Sequence, residues 1–205
     1  MAQAALAAAK KGALKRGKWI IHLDESGFSQ RPSVVRTWAP RGRTPTLRSA
    51  FNWHRLSVIG ALAVSPDLQR VRTFLSWRPG SVDHARVIAF LRSLRRHLRV
   101  QVLLVWDRLS AHIATPTRKY LESQRHWLDV EWLPTYAPEL NPQEYLWGYL
   151  EGTDLANFAP DDLAQLAAQV KRTARRVRRR ADLPFAFLKH SGLYPGLSNI
   201  LGETQ

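Results

Sequence analysis

One continuous apolar run constrains the fold of this chain more than any other feature. Seven residues from Val100 read VQVLLVW, and Asp107 follows them directly. A strand that is apolar on both faces is typical of the interior of a sheet whose two surfaces are covered by helices. The run therefore predicts a central strand of an α/β sheet that ends in a carboxylate.

Further predicted strands and helices alternate around this run. Residues 31–46 are rich in Pro and Gly and predict a loop or short hairpin arms. Ser81 is the expected N-cap of the first helix after the early strands. The pattern predicts one α/β domain with a mixed central sheet flanked by helices. Strands are predicted for residues 18–23, 55–66, 71–80 and 126–134, and helices for 81–98, 115–124, a segment from Pro142 and 160–182.

The charge of the chain indicates an anionic partner. The net charge is +15, and hydrophobic residues make up 45% of the sequence, which is enough for a folded core. Self-repulsion on this scale destabilises a compact chain unless an anionic partner or counterions compensate it. Nucleic acid is the first candidate, since its phosphates release counterions when they are neutralised. An acidic membrane surface and a merely solvated basic surface are the alternatives.

Several classes of site are excluded by composition. The chain has no Cys, which removes disulfides, thiolate zinc sites and cysteine nucleophiles and fits a reducing compartment. No apolar run approaches the roughly 20 residues that span a bilayer. The basic opening segment carries its first charges after its apolar stretch, unlike a secretory signal. We therefore expect a cytoplasmic protein with no membrane partner.

Two acidic residues directly follow predicted strands. Asp24 ends the strand at 18–23, and Asp107 ends the apolar run. Ligands of such sheets gather at the carboxyl ends of the strands, where a buried carboxylate is costly unless a cation accompanies it. Mg²⁺ prefers oxygen ligands, and two such ions can activate water and stabilise a leaving oxygen in phosphodiester chemistry. Each aspartate is also compatible with a simple turn.

A third acid, Glu144, begins a predicted helix. With Asn141 as N-cap, Pro142 is at the first helical position and Glu144 at the third, which is a capping-box arrangement. Leu140 and Tyr145 occupy the hydrophobic-staple positions. Residue chemistry alone leaves Glu144 equally compatible with a structural cap and with a third metal ligand.

The last predicted helix carries a basic segment. Its apolar residues fall on one face, with Asp161 and Asp162 at the amino end. Between 171 and 180 it has more positive charge than capping requires, which predicts binding to DNA phosphates; a solvated face is the alternative. The basic residues are Lys171, Arg172, Arg175, Arg176, Arg178, Arg179 and Arg180.

Three segments together resemble a known family. HLDESGF, LLVWDRLSAH and LPTYAPELNPQEYLWGYLEG are similar to the three acidic motifs of DDE transposases of bacterial insertion sequences, related to the mariner superfamily. RTWAPRGRTPTL and DLANFAPDDLA resemble further segments of that family, so the similarity covers roughly residues 18–180. Arg108 and Glu151 depart from the family pattern, which often has Asn and a basic residue at these positions.

The resemblance implies an RNase H-like fold and a metal-binding catalytic triad of Asp24, Asp107 and Glu144. Their separations are 83 and 37 positions. It implies Mg²⁺ or Mn²⁺, with two ions expected, and makes His112 a possible neighbour of the active site. Glu25 would point to the opposite face from Asp24 if its strand continued, so it is set aside.

The resemblance also implies a function and partners. We expect cleavage and strand transfer of double-stranded DNA at element ends and target, by a homodimer on DNA in a bacterial, nucleoid-associated setting. Alternatives are an RNase H-like nuclease without strand transfer and an inactive DNA-binding remnant. A helix-turn-helix part that relatives carry before the core would be separately encoded or missing. The expected division is a basic helix or linker at 1–17, the catalytic core at 18–158, and a basic C-terminal helix and tail at 159–205.

Overall fold

The sheet is mixed, as the predicted alternation of strands and helices indicates. The computed structural model describes residues 2–49, 54–134 and 138–194; residues 135–137 of the third motif and 195–205 of the predicted tail lie outside them. The strands are β1 Trp19–Ser29, β2 Arg55–Val64, β3 Val71–Pro79, β4 Val102–Trp106 and β5 Leu128–Trp132. Their order is β3-β2-β1-β4-β5. β1, β4 and β5 run parallel, and β2 is antiparallel to β1 and β3.

Seven helices accompany the sheet in the described part of the chain. A short 3-10 turn, Pro138–Leu140, leads into the fifth of them. Within the described ranges, no helix has the length and apolar character needed to cross a bilayer. The helices are α1 Ala2–Lys15, α2 His84–Leu98, α3 Ser110–Ile113, α4 Thr115–Ser123, α5 Gln143–Gly152, α6 Leu163–Arg179 and α7 Asp182–His190.

The parallel pairing of β1 with β4 sets the level of the two aspartates. It runs from Trp19 opposite Val102 to His22 opposite Val105, a constant offset of 83 positions (102 − 19). Asp107 also follows Asp24 by 83 positions (107 − 24). The two aspartates therefore stand at the same level, two residues beyond the last paired residues of these strands.

β1 is longer than the sequence predicts. Its expected end at residue 23 is wrong, because antiparallel pairing with β2 continues from Ile20 to Ser29. Gly27 does not break the strand, since it pairs with Ser57 of β2. Asp24 thus lies inside β1, and only the pairing with β4 has ended before it.

Different helices cover the two faces of the sheet. On one face, Leu23 and Ile59 pack with Leu91 of α2. On the other face, Leu62 packs with Leu146 of α5 and with residues of α6. Because side chains alternate along a strand, neighbouring residues of β1 reach opposite helical layers.

The amino-terminal helix is part of the core. Leu6 and Ala13 of α1 are buried against Ile20 and Leu103 of the sheet. Lys10 is also buried, and its Nζ donates a hydrogen bond of 2.7 Å to the carbonyl of Leu193. The helix predicted within 1–17 is present and packs on the sheet; the boundaries at 17 and 158 stay predictions.

Two predicted helix boundaries are wrong. The N-cap of α2 is Asp83, not Ser81, because the Asp83 side chain accepts a hydrogen bond of 2.9 Å from the Arg86 amide. The last predicted helix does not run to 182, since α6 ends at Arg179 and a separate helix, α7, follows. Pro184 lies in the first turn of α7, a position it tolerates, whereas it cannot continue a helix interior.

We predict that Leu6→Ala lowers the free energy of unfolding by about 2–5 kcal/mol, because it leaves a cavity under the sheet. Urea unfolding followed by tryptophan fluorescence measures this change. Leu47→Ala is the matched control. Leu47 is 40% exposed, so its replacement should lower the free energy of unfolding far less. Equal losses in both variants would contradict the inclusion of α1 in the core.

Candidate active site

Asp24 is a buried carboxylate with one side-chain donor. It is only 8% exposed, and Nε1 of Trp147 donates to its Oδ2 at 2.9 Å. Burial raises the pKa of Asp24 to about 7; the Trp147 hydrogen bond opposes this rise, and the charges of Glu25 and Glu144 add to it. The single side-chain hydrogen bond therefore does not offset the cost of burying a charged carboxylate at this point of β1.

Trp147 reaches Asp24 because residue 60 has no side chain. Gly60 of β2 lies directly opposite Asp24. A Cβ atom at Gly60 would stand 2.5 Å from the Trp147 ring, which is too close for any real contact. Glycine at this position thus allows α5 to lie against the sheet at the level of the aspartate.

The start of α5 is tied to β1 at the same level. The Asn141 side chain accepts a hydrogen bond of 3.2 Å from the Gln143 amide, which caps the first turn. The Gln143 side chain is fully buried and donates to the His22 carbonyl at 2.8 Å. These bonds hold the first turn of α5 beside Asp24.

Glu144 does not complete a capping box. Among the described residues, its side chain makes no hydrogen bond to Asn141. Tyr145 stacks on His190 with ring centroids 5.8 Å apart, and Leu140 is buried in the cluster that contains Ile20; the staple contact between Leu140 and Tyr145 stays a prediction. Asn141 alone caps the turn, so the Glu144 carboxylate is exposed and lies within electrostatic range of Asp24. Partial burial and the charge of Glu151 raise the pKa of Glu144.

Asp107 is held by a buried histidine. Its Oδ1 lies 2.7 Å from Nδ1 of His112 and accepts a bond of 3.1 Å from the Leu109 amide. Nε2 of the same imidazole lies 2.8 Å from Oε1 of Glu25. His112 therefore bridges two carboxylates that come from β1 and from the end of β4.

The bridge shifts the pKa values of His112 and Asp107 in opposite directions. Burial by itself would lower the pKa of His112, but the bonds to Asp107 and Glu25 outweigh it and raise the pKa to about 9. Burial by itself would raise the pKa of Asp107, but the hydrogen bonds from His112 and the Leu109 amide outweigh burial and lower this pKa. His112 is therefore charged at neutral pH and donates to both carboxylates.

Glu25 is the residue that sequence reasoning set aside. It does point away from the Asp24 side, as strand alternation predicts, yet it reaches Asp107 through His112. The signal lay in the motif DRLSAH, which places a histidine five residues after the second acid. That spacing alone does not reveal the second partner, which comes from 87 positions upstream.

The donor set fits a hard divalent cation in its chemistry. Asp24 is a desolvated carboxyl with a raised pKa, which a cation would counteract, and Oδ2 of Asp107 accepts from no described residue. Glu144 adds an exposed carboxylate near Asp24. Across residues 2–49, 54–134 and 138–194, no three Asp, Glu or His side chains are close enough together to hold one ion. The carboxylates thus share one end of the sheet without converging on a single point in this conformation.

The basic residues of α6 fall into two groups. Arg176 pairs with Asp154 at 2.6 Å, Arg180 pairs with Asp182 at 2.6 Å, and Arg178 donates to the Thr73 carbonyl at 3.4 Å. The others form no ion pair or side-chain hydrogen bond with any described residue, and they line an open groove of about 680 Å³. This second group is Lys171, Arg172, Arg175 and Arg179.

The fold and the site together define a class. A mixed five-stranded sheet of this order, flanked by helices and with carboxylates at the same end of its central strands, is the RNase H-like architecture. The family model of DDE superfamily endonucleases matches residues 19–166, well over half of the chain. The chain belongs to this superfamily. No curated protein matches the sequence.

Solved structures with the same fold include those of the Mos1 transposase. A pre-cleavage Mos1 transpososome has a TM-score of 0.68 at 19% identity, over 100% of this chain and 61% of that one. The Mos1 strand transfer complex has a TM-score of 0.65 at 21% identity, over 96% and 57%. The Mos1 catalytic domain with raltegravir and Mn has a TM-score of 0.59 at 16% identity, over 99% and 94%. The chain thus spans about three fifths of the Mos1 chains in the complexes and nearly all of the catalytic-domain chain.

We predict that Asp24→Asn stabilises the chain more at neutral than at acid pH. Folded Asp24 keeps its proton up to about pH 7, whereas unfolded Asp loses it near its ordinary value of 3.8. The folded state then binds more protons between these values, so this residue's contribution to stability falls as pH rises. Relative to the parent, the free energy of unfolding of the variant should increase by on the order of 2–4 kcal/mol more at about pH 8 than at about pH 4.

Urea unfolding at the two pH values measures this difference. Glu122→Gln is the control, because Glu122 is an exposed carboxylate of α4. A gain for Asp24→Asn that is the same at both pH values would contradict a desolvated carboxyl at this position.

Proposed function

We propose that this chain is the catalytic part of an insertion-sequence transposase, which cuts DNA at the element ends and joins the freed ends to target DNA. Membership of the DDE endonuclease superfamily and the RNase H-like fold support the reaction class. Two similar structures are a pre-cleavage transpososome and a strand transfer complex of Mos1. These support both steps for the present chain.

The shared register of Asp24 and Asp107 carries the proposal. Two carboxylates stand at the same level beside each other in a sheet, and a third, Glu144, lies on the first turn of a helix that is fastened to β1 at that level. Asp24 is buried, and the charges of Glu25 and Glu144 raise its pKa further, so acids gathered at this end of the sheet are costly unless a cation accompanies them.

Asp24, Asp107 and Glu144 would hold the divalent cations, and Mg²⁺ or Mn²⁺, with two ions expected, suits their oxygen donors. A similar structure, the Mos1 catalytic domain, contains Mn. When bound, such ions make water or a hydroxyl a nucleophile at neutral pH and stabilise the leaving oxygen. The chain itself orients Asp24 through Trp147 and Asp107 through His112 and the Leu109 amide.

The proposed chemistry comprises two displacements at phosphorus. Water attacks a phosphodiester at the element end, the P–O3′ bond breaks, and the departing 3′ oxygen takes up a proton. That 3′ hydroxyl then attacks a phosphodiester of the target, loses its proton, and displaces the target's own 3′ oxygen. Neither step requires a covalent enzyme intermediate.

Double-stranded DNA is the proposed partner, bound through α6. Four of the basic residues that line the open groove have no side-chain partner among the described residues, so their charge is available to phosphates: Lys171, Arg172, Arg175 and Arg179. All seven predicted DNA-binding residues stay in the proposal, with Arg176, Arg178 and Arg180 acting from anchored positions. We also propose a homodimer on DNA and a bacterial cytoplasmic setting, as the family resemblance implies.

Glu144→Gln is expected to lower DNA cleavage in Mn²⁺ by about 100-fold or more, because it removes one of the three carboxylates that would hold the cations. The measurement is cleavage and joining of plasmid DNA that carries the element ends. Glu139→Gln is the control, since it removes the same charge five residues earlier on the 3-10 turn. Unchanged cleavage in Glu144→Gln would refute the triad, whereas cut but unjoined products would favour a nuclease without strand transfer.

Replacing Lys171, Arg175 and Arg179 together with Gln should reduce the salt dependence of DNA binding. Each lost phosphate contact lowers the slope of log K against log salt by about 0.9, so a decrease of about 2–3 is expected. Fluorescence anisotropy with a labelled duplex at several salt concentrations measures the slope. The control replaces Arg118, Lys119 and Arg125, exposed residues on or next to α4, with Gln and loses the same charge. Equal slopes in the two triple variants would contradict the assignment of α6 as the DNA surface.

A further inference from the structure

The bridge between Glu25, His112 and Asp107 is built more firmly than an incidental surface contact. The His112 side chain is fully buried, and Glu25 is only 10% exposed at its side chain. The imidazole lies flat against Trp106, with ring centroids 4.1 Å apart and planes 16° from parallel. Trp132 stacks on the far side of Trp106 at 5.6 Å. The position and the plane of the imidazole are therefore both set by packing.

Both ring nitrogens of His112 are occupied. Nδ1 meets Asp107 at 2.7 Å and Nε2 meets Glu25 at 2.8 Å. Carboxylates only accept hydrogen bonds, so each ring nitrogen must carry a proton. A buried histidine with both nitrogens engaged has no donor left for DNA, so its role must be exerted through a neighbour.

The neighbour that this arrangement controls is Asp107. Oδ1 of Asp107 receives two donors, His112 Nδ1 and the Leu109 amide, whereas Oδ2 receives none from the described residues. The Asp107 side chain remains 37% exposed, so the second oxygen is open to solvent. One oxygen is thus anchored and the other is presented.

Glu25 anchors the histidine in turn. It comes from β1, next to Asp24, so the same strand that carries the first acid also fixes the orientation of the second. Its second oxygen, Oε2, is buried and has no hydrogen-bond partner among the described residues, so His112 is the side-chain partner that holds this carboxylate there.

We propose that Glu25 and His112 are positioning residues that fix Asp107 with Oδ2 directed outwards as the oxygen that binds the cation. This inference rests on the proposed function, in which Asp107 is a metal ligand. Residues that orient metal ligands typically affect metal affinity or activity by about 10–100-fold when they are replaced. Glu25 therefore belongs to the site although it touches neither the cation nor the DNA.

The test compares Glu25→Ala and Glu25→Gln with the control Glu122→Gln. Glutamine retains an oxygen that accepts from Nε2 of His112, whereas alanine removes it. The first readout is Mn²⁺ affinity of the DNA-free protein, from electron paramagnetic resonance of unbound Mn²⁺. We expect Glu25→Ala to weaken binding by about 10–100-fold, Glu25→Gln to recover most of the loss, and the control to match the parent.

The second readout separates positioning from general damage. In DNA cleavage, Glu25→Ala should lower kcat by about 10–100-fold with KM for DNA within about twofold of the parent. A higher KM for DNA with an unchanged kcat would overturn the proposal. Equal Mn²⁺ affinity in Glu25→Ala and the control would also overturn it.

A third readout does not depend on metal or catalysis. Three-bond NMR couplings of Asp107 should report one χ1 rotamer in the parent and rotamer averaging in Glu25→Ala. If the parent neither binds Mn²⁺ nor cleaves DNA, the proposed function fails, while this coupling still shows whether Glu25 orients Asp107. A single unchanged rotamer in Glu25→Ala would refute the positioning role in either case.

Discussion

The parallel pairing of β1 with β4 is the constraint on which the rest of the structure depends. A constant offset of 83 positions brings Asp24 and Asp107 to one level and leaves both just beyond the last paired residues. β2 lines the other side of β1, and its Gly60 gives Trp147 room to reach Asp24. α5 is fastened to the same level by Gln143, which brings Glu144 to the site. A slip of this pairing by one residue would turn Asp107 to the opposite face.

Electrostatics makes this arrangement costly in the absence of cations. The pKa of Asp24 is raised to about 7, mainly because the carboxyl group is buried, and the charges of Glu25 and Glu144 raise this pKa further. The charged His112 offsets part of the repulsion between carboxylates, because it donates one hydrogen bond to Asp107 and one to Glu25. Groups that are unfavourable for stability but held rigidly in place are typical of sites whose chemistry needs them. The stability of the fold and the readiness of the site for a cation are thus opposed at Asp24.

Sequence reasoning identified the architecture because hydrophobic patterns directly report burial. The apolar run at β4 and the amphipathic face of α6 are where they were expected. It misplaced the end of β1 because a glycine in an internal strand cannot be distinguished from a turn without knowing its partner, here Ser57. It left Glu144 open between a capping box and a metal ligand, because local spacing does not show that Asn141 caps the turn without Glu144. It also counted seven basic residues on α6 as equivalent, although their partners Asp154, Thr73 and Asp182 lie on separate elements.

The sequence by itself determined the chemistry available to this protein: carboxylates after β-rich segments, a basic helix, no thiols and enough apolar surface for one α/β core. The family resemblance added which three acids to compare, and the superfamily match confirms the family. Only the tertiary structure decided how those acids are held. Its decisive contacts join residues that are far apart in sequence. They are the hydrogen bond from Trp147 to Asp24, the His112 bridge from Asp107 to Glu25, and the ion pair of Arg176 with Asp154. Periodicity records which face of an element is buried, but it contains no information on which distant side chain lies opposite, because that is set by packing and register.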